Sequence, residues 1–304
     1  NILRKSIHYV ENYSIDESFC DLHGYDAHFD LVEMMRGIAH KIKLWTDIPV
    51  SVGIAPTKTL AKMGSKFAKQ YVGYQGVCMI DNDEKRRKAL GLFDLADVWG
   101  IGRQTFERLN YYGIHTPLEF ADKSESWVKA HFTKPGVQTW RELNGKPCID
   151  TSEVVRKKTI CTSRSFGDMV GDVESLKAAV ATFASSCANK LRGEGSGAKS
   201  VTVFLCSNRF REDLAQYNNA ASFTFLTPTS DTMEITNAAL NILVHIYKKG
   251  IMYKKAGVIV GDVVSVSPYQ ADLFDPIQNR PQRARLMTAM DDLNPRYGLK
   301  TLRL

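Results

Sequence analysis

The chain has 304 residues, 44% of them apolar, which is enough for two average domains or three small ones with separate cores. Its net charge of +7 points toward a polyanionic partner only weakly, so where the charge sits matters more than its sum. No apolar run approaches the roughly 18 residues of a membrane span, no cleavable signal is visible, and the six cysteines show neither a Cys-x-x-Cys pair nor a His at ligand spacing. A cytoplasmic protein with reduced thiols and no membrane, zinc or disulfide framework is expected. An amphipathic segment is already under way at Ile2, Leu3 and Ile7, so the chain is expected to begin inside a domain.

Residues 13 to 23 read as a strand and turn. Within them Tyr13, Ser14, Ile15, Asp16, Glu17, Ser18 and Phe19 place two adjacent carboxylates in a strand-like context. Successive side chains of a strand point to opposite faces, so Asp16 and Glu17 share one metal cluster only if a hairpin or bulge bends the pleat there. The alternative is a solvated strand end. Asp30 to Lys43 predicts a helix with Leu31, Met34, Met35, Ile38 and Ile42 on one side, and Pro49 to Ile54 a short buried strand.

Thr57 is a plausible N-cap for a helix over Lys58 to Lys69. Lys58, Lys62, Lys66 and Lys69 fall on one stripe of it, and Leu60, Met63, Gly64 and Phe67 on the opposite face. Such a stripe is either a phosphate-facing surface or a solvated one. Gly76 to Ile80 predicts a further strand.

Val98, Trp99, Gly100, Ile101 and Gly102, followed by Phe106, Leu109, Gly113 and Ile114, match a helix-hairpin-helix pattern. Its glycines permit a tight turn whose N–H groups can bind a DNA phosphate without reading bases. The alternative is an αα-hairpin used only for packing.

Beyond Asn144–Pro147 the texture changes. Strands are expected over residues 155 to 166, Ser200 to Cys206, Ala221 to Leu226 and Ala256 to Val264. Helices are expected over Val173 to Arg192 and from an Asp231–Glu234 capping box to Tyr247. Gly193, Gly195, Ser196 and Gly197 predict a mobile connection. The order β-α-β-β-α-β is that of the ferredoxin-like split arrangement. Lys157, Lys158, Arg164, Lys190, Arg192, Arg209 and Arg211 decorate it, suiting either backbone tracking along a nucleic acid or plain surface charge. Gln270, Ala271, Asp272, Leu273 and Phe274 then place a Leu-Phe pair in a polar tail, where a partner pocket is a natural home.

These elements in this order resemble a Y-family, lesion-bypass DNA polymerase, most closely its bacterial UmuC-type branch, over essentially the whole chain. The resemblance implies an α+β multidomain fold. Residues 1–80 would be a partial palm, 81–148 a helix-hairpin-helix thumb, 155–265 a ferredoxin-like little finger and 266–304 a C-terminal tail. It implies that Asp16 and Glu17 are the catalytic carboxylates for Mg²⁺, two ions being expected in the intact enzyme, and that Lys69 binds the triphosphate. The match departs at Gln70, where many relatives place proline. Gly100, Gly102 and Arg103 of the hairpin, with Lys158, Arg164, Arg209 and Arg211 of the little finger, would hold DNA. Gln270, Asp272, Leu273 and Phe274 would bind the sliding clamp. The implied partners are primer-template DNA, a deoxynucleotide triphosphate, the clamp and UmuD-like subunits, in DNA repair and the SOS response.

Family members begin with a palm strand carrying the first metal-ligating Asp, an aromatic residue that excludes ribonucleotides, and the fingers. None of these precedes Asn1, so the chain as it stands is expected to bind DNA without extending it. Two rivals remain at this stage. One is a non-catalytic DNA-binding and clamp-tethering protein. The other is a helix-hairpin-helix nuclease subunit, which would need further carboxylates such as Asp21 or Asp26 beside Asp16.

Overall fold

A computed structural model describes residues 2–150, 157–265, 277, 279–298 and 302, and the chain divides into two units, Asn1–Val154 and Val155–Leu304. In the first unit, α1 (Ile2–Ser6) leads into an antiparallel hairpin of β1 (Tyr9–Asn12) and β2 (Ser18–Asp21), in register from Tyr9 opposite Asp21 to Asn12 opposite Ser18. The bend therefore lies at residues 13–17, within the segment expected to be strand, and Asp16 and Glu17 sit at the apex. Helix α2 (Leu31–Thr46) starts where the Asp30 carboxylate accepts from the Val32 and Glu33 N–H groups, and runs to Thr46, three residues beyond the expected Lys43, where Asp47 caps it in a left-handed conformation.

Two parallel strands, β3 (Val52–Ile54) and β4 (Val77–Met79), are joined through α3 (Lys58–Gln70). The Thr57 hydroxyl caps α3 by accepting from the Leu60 N–H. Gly53 and Gly64 let α3 lie directly on β3: a Cβ on Gly53 would meet the Ala61 carbonyl oxygen at 1.8 Å. The buried face of α3 is the predicted one, with Leu60, Met63 and Phe67 inside.

Five helices follow: α4 (Asp83–Leu92), α5 (Arg103–Tyr111), α6 (Pro117–Ala121), α7 (Glu125–His131) and α8 (Lys134–Leu143). Leu90, Leu109, Phe120 and Leu143 join Leu60, Met63 and Phe67 in one core, so packing is continuous across residues 80 and 81. A second core gathers Ile7, Met35, Ile38, Ile54 and Val77 between α2 and the short strands. Buried Glu142 fastens the start of α3 to the end of α8. Its carboxylate accepts from the N–H groups of Thr59 (3.0 Å), Cys148 (2.8 Å) and Ile149 (3.2 Å).

The second unit is a four-stranded antiparallel sheet of β5 (Thr159–Val170), β6 (Ser196–Ser207), β7 (Asn218–Thr229) and β8 (Tyr253–Ser265), with α9 (Val173–Gly193) and α10 (Thr232–Ile246) inserted in the expected β-α-β-β-α-β order. Spatially the order is β5-β8-β6-β7, the last strand lying between the first two. Val201, Val203, Leu205, Val258 and Val260 face Leu176, Val180, Leu191, Ile235 and Leu243 in the core. The glycine-rich connection expected to be mobile is shorter than predicted. Only Glu194 and Gly195 turn, Gly195 at φ +59, and Ser196 and Gly197 are already in β6 and buried.

The expected Asp231–Glu234 box forms only by half. Asp231 accepts from the Glu234 N–H at 3.0 Å, but the Glu234 carboxylate turns to the Thr229 hydroxyl and to Arg280. Arg280 belongs to α11 (Arg280–Tyr297), a helix within the expected tail. Three arginine–carboxylate pairs and the buried Met287 fix α11 on the helical side of the unit: Arg280–Glu234 at 2.9 Å, Arg283–Asp231 at 2.8 Å and Arg192–Asp291 at 2.5 Å. Gln270, Asp272, Leu273 and Phe274 lie outside the described residues.

Candidate active site

At the apex of the β1–β2 hairpin the Ser14 hydroxyl donates to the Asp16 carboxylate at 2.6 Å and accepts from the Asp16 and Glu17 N–H groups at 3.3 and 3.1 Å. This local turn brings both carboxylates to one end of the hairpin, which a regular strand could not do. They open on a cleft of about 1260 Å³, bounded also by Lys58, Lys62 and the β3 edge. Asp21 sits three register positions below the closing Asn12–Ser18 pair, about 10 Å along the strand, and is committed to His23, whose ring nitrogen lies 2.7 Å from it. The His23 N–H, and then that pairing, hold the Asp21 carboxyl below its ordinary range.

The lysine stripe of α3 is neither bare nor wholly phosphate-facing. Lys58 pairs with Glu11 at 2.8 Å, Lys62 with both oxygens of Glu17 at 2.9 and 2.8 Å, and Lys66 with Asp97. Lys69, in the last turn, is exposed and has no anionic partner among the described residues. It stands about 10 Å along the helix from Lys62.

Sequence reasoning missed the box around Lys62. Tyr13 and Trp99 meet edge-to-face at 5.4 Å, the Trp99 indole N–H donates to the Tyr13 hydroxyl at 3.2 Å, and the Lys62 ammonium lies 5.0 and 5.2 Å from the two ring centroids. Trp99 directly precedes the Gly100–Gly102 turn, so the hairpin is tied to the carboxylate loop through a pair 86 positions apart in sequence. Nothing in a local pattern could have shown this. In that turn Gly100 adopts φ +97 and Gly102 is the N-cap of α5, while Arg103 pairs with Glu107 at 2.8 Å.

The sheet of the second unit has one face without helices, along which Thr159, Cys161, Ser163, Thr202, Phe204, Ser222 and Lys255 follow in register. These side chains are small or hydroxylic for the most part, and a Cβ at Gly257 would meet the Phe204 ring at 2.4 Å. Arg164 is in register with Ala256 and Leu205, both buried, and so emerges at the rim on the core side of edge strand β5. Arg211 pairs with Asp213 at 2.6 Å, whereas Arg209 lies over the Phe210 ring at 4.8 Å. Lys158, Arg164 and Arg209 have no carboxylate partner among the described residues.

Two family models match the chain: the impB/mucB/samB family over residues 1–66 and the impB/mucB/samB family C-terminal domain over residues 157–273. Protein UmuC of Salmonella typhimurium is 39% identical over 302 residues, covering 99% of this chain and 72% of the relative. The chain belongs to the UmuC-type, impB/mucB/samB branch of the Y-family DNA polymerases.

Its function is error-prone translesion DNA synthesis, and its chemistry is that of a DNA-directed DNA polymerase. Protein ImpB of Salmonella typhimurium is 38% identical over 94% of this chain and 68% of the relative. DNA polymerase IV of Clostridium acetobutylicum is 24% identical over 98% of the chain and 72% of its own length. A solved Y-family DNA polymerase chimera matches at TM-score 0.60 and 19% identity, covering 87% of this chain and 74% of that one, which shows the shared α+β multidomain fold. For a UmuC-type polymerase the carboxylate apex is the place to test for a divalent ion. Asp16 and Glu17 are hard oxygen donors on one turn at an open cleft, a donor set that fits Mg²⁺. Among the described residues no third His, Cys, Asp or Glu completes a cluster with them. No helix of the described residues is long and apolar enough to cross a membrane.

Proposed function

We propose that Asp16 and Glu17 are the carboxylates by which this polymerase binds catalytic Mg²⁺, and that Lys69 neutralises the triphosphate of the incoming deoxynucleotide. The observation that carries this reading is the hairpin apex, where the Ser14 hydroxyl, bonded to the Asp16 carboxylate and to the Glu17 N–H, keeps both residues on one turn beside the cleft. An ion held by Asp16 and Glu17 would supply stabilisation of the negative charge that builds on the phosphate during nucleotidyl transfer. The chain's own part is positioning and charge. Ser14 fixes the Asp16 carboxylate by a hydrogen bond, and the exposed Lys69 ammonium offers a cation further along α3.

Primer-template DNA would be held by the Gly100–Gly102 hairpin through its N–H groups, and by the helix-free face of the sheet with Lys158, Arg164 and Arg209 at its margins. Arg103 and Arg211, each in an ion pair on its own segment, would contribute only after exchanging a carboxylate for a phosphate. Gln270, Asp272, Leu273 and Phe274 would tether the enzyme to the sliding clamp, with UmuD-like subunits as further partners.

The deciding experiment is primer extension on a lesion-containing template by the full-length protein, wild type against Asp16→Asn and Glu17→Gln. Loss of extension by more than about a hundredfold with unchanged DNA affinity is expected. Extension at the wild-type rate by either variant would remove that residue from the metal site.

A further inference from the structure

The Lys62 ammonium caps the Glu17 carboxylate. It lies 2.9 and 2.8 Å from the two carboxylate oxygens, so a single cation engages both at once. It is also seated over the faces of Tyr13 and Trp99, rings that are themselves joined by the indole-to-hydroxyl hydrogen bond. A cation in such a box keeps favourable contacts even when its carboxylate is taken away. Glu17 has no such second hold, because its carboxylate makes no other side-chain hydrogen bond among the described residues.

We propose that Lys62 is a positioning residue, a built-in stand-in cation. It neutralises Glu17 and keeps it beside Asp16 before metal loading, then yields the carboxylate to the ion while remaining in the Tyr13–Trp99 box. The proposal rests on Asp16 and Glu17 being metal ligands. It adds that the ammonium and the metal compete for one carboxylate, so Lys62 sets how tightly the ion is held, and Trp99 senses the exchange.

The test uses the full-length protein without nucleotide or DNA. Mn²⁺ binding is measured from the electron paramagnetic resonance signal of the free ion, and Mg²⁺ is titrated against Trp99 emission, taken as the difference between wild type and Trp99→Phe. Lys62→Met should tighten Mn²⁺ binding by about twofold to tenfold, the range set by a part-exposed ion pair with a cation–π contribution. It should also abolish the Mg²⁺-dependent change in Trp99 emission, whereas Lys62→Arg should preserve both wild-type behaviours. Lys62→Gln serves in place of Lys62→Met if that variant does not fold. Unchanged or weaker Mn²⁺ binding in Lys62→Met, with binding still lost in Glu17→Gln, would overturn the stand-in role and leave the metal reading intact. Mn²⁺ binding indifferent to Glu17→Gln would overturn both.

Discussion

Gly100 and Gly102 are equivalent letters in the hairpin pattern, yet the structure asks different things of them. Gly100 has φ +97, and a Cβ there would lie 2.3 Å from the Thr139 hydroxyl oxygen of α8. Gly102 has φ −83, and an added Cβ would meet nothing within 4 Å. Gly100→Ala should therefore lower stability by about 1–3 kcal/mol, from backbone strain and the displaced Thr139. Gly102→Ala should fall within about 0.5 kcal/mol of wild type. Urea denaturation checks both, and equal effects would mean that the turn is not fixed by Gly100. The same contrast runs through the carboxylates. Asp16, Glu17 and Asp21 look alike in the sequence, but Ser14 gathers the first two at the apex while His23 holds the third near the hairpin base.

Among the elements, α3 and α11 owe most to partners distant in sequence. Spacing placed the lysines of α3 on one stripe and its apolar residues on the other, and both faces exist. What the stripe meets depends on β1, the hairpin apex and Asp97, none of them local to α3. Helix α11 has little amphipathic signal, and its place is set instead by arginines reaching the first turn of α10, where Asp231 and Glu234 are already oriented by the cap. This is also why the predicted capping box is incomplete. Replacing Arg280 and Arg283 together by Ala should cost about 2–5 kcal/mol of local stability, since two charge-assisted pairs are lost in a half-buried setting. Amide exchange would show it as lost protection over residues 280–297, with protection of α9 retained. Full protection of α11 in the double variant would assign its anchoring to Met287 and Asp291 instead.

For the molecule as a whole, the net charge of +7 is a poor guide to where a polyanion would sit, because much of the basic charge is already paired. Among the cations without a carboxylate partner in the described residues, Lys158, Arg164 and Arg209 in the second unit and Lys69 in the first are the better candidates. If Lys158 and Arg209 each neutralise one phosphate, replacing either by Gln should flatten the plot of log binding constant against log salt by about 0.9. Replacing Arg211 should change it less, because Asp213 already neutralises that guanidinium. Titrating DNA binding from low to physiological salt measures the slopes, and an unaltered slope removes a residue from the interface.

Periodicity, caps and turn residues act over a few positions, which is why the sequence alone sufficed for α2, α3, β3 and β4, the β-α-β-β-α-β succession of the second unit, the buried face of α3, the Thr57 and Asp231 caps and the α+β class. Its four motifs, in their order, also sufficed for the UmuC-type resemblance that the relatives bear out. Other features needed the folded chain: the insertion of β8 between β5 and β6, the docking of α11, and the meeting of Lys62 with Glu17, Tyr13 and Trp99. Each joins residues from about 37 to about 100 positions apart, and the free energy of such a contact depends on every intervening element having already found its place.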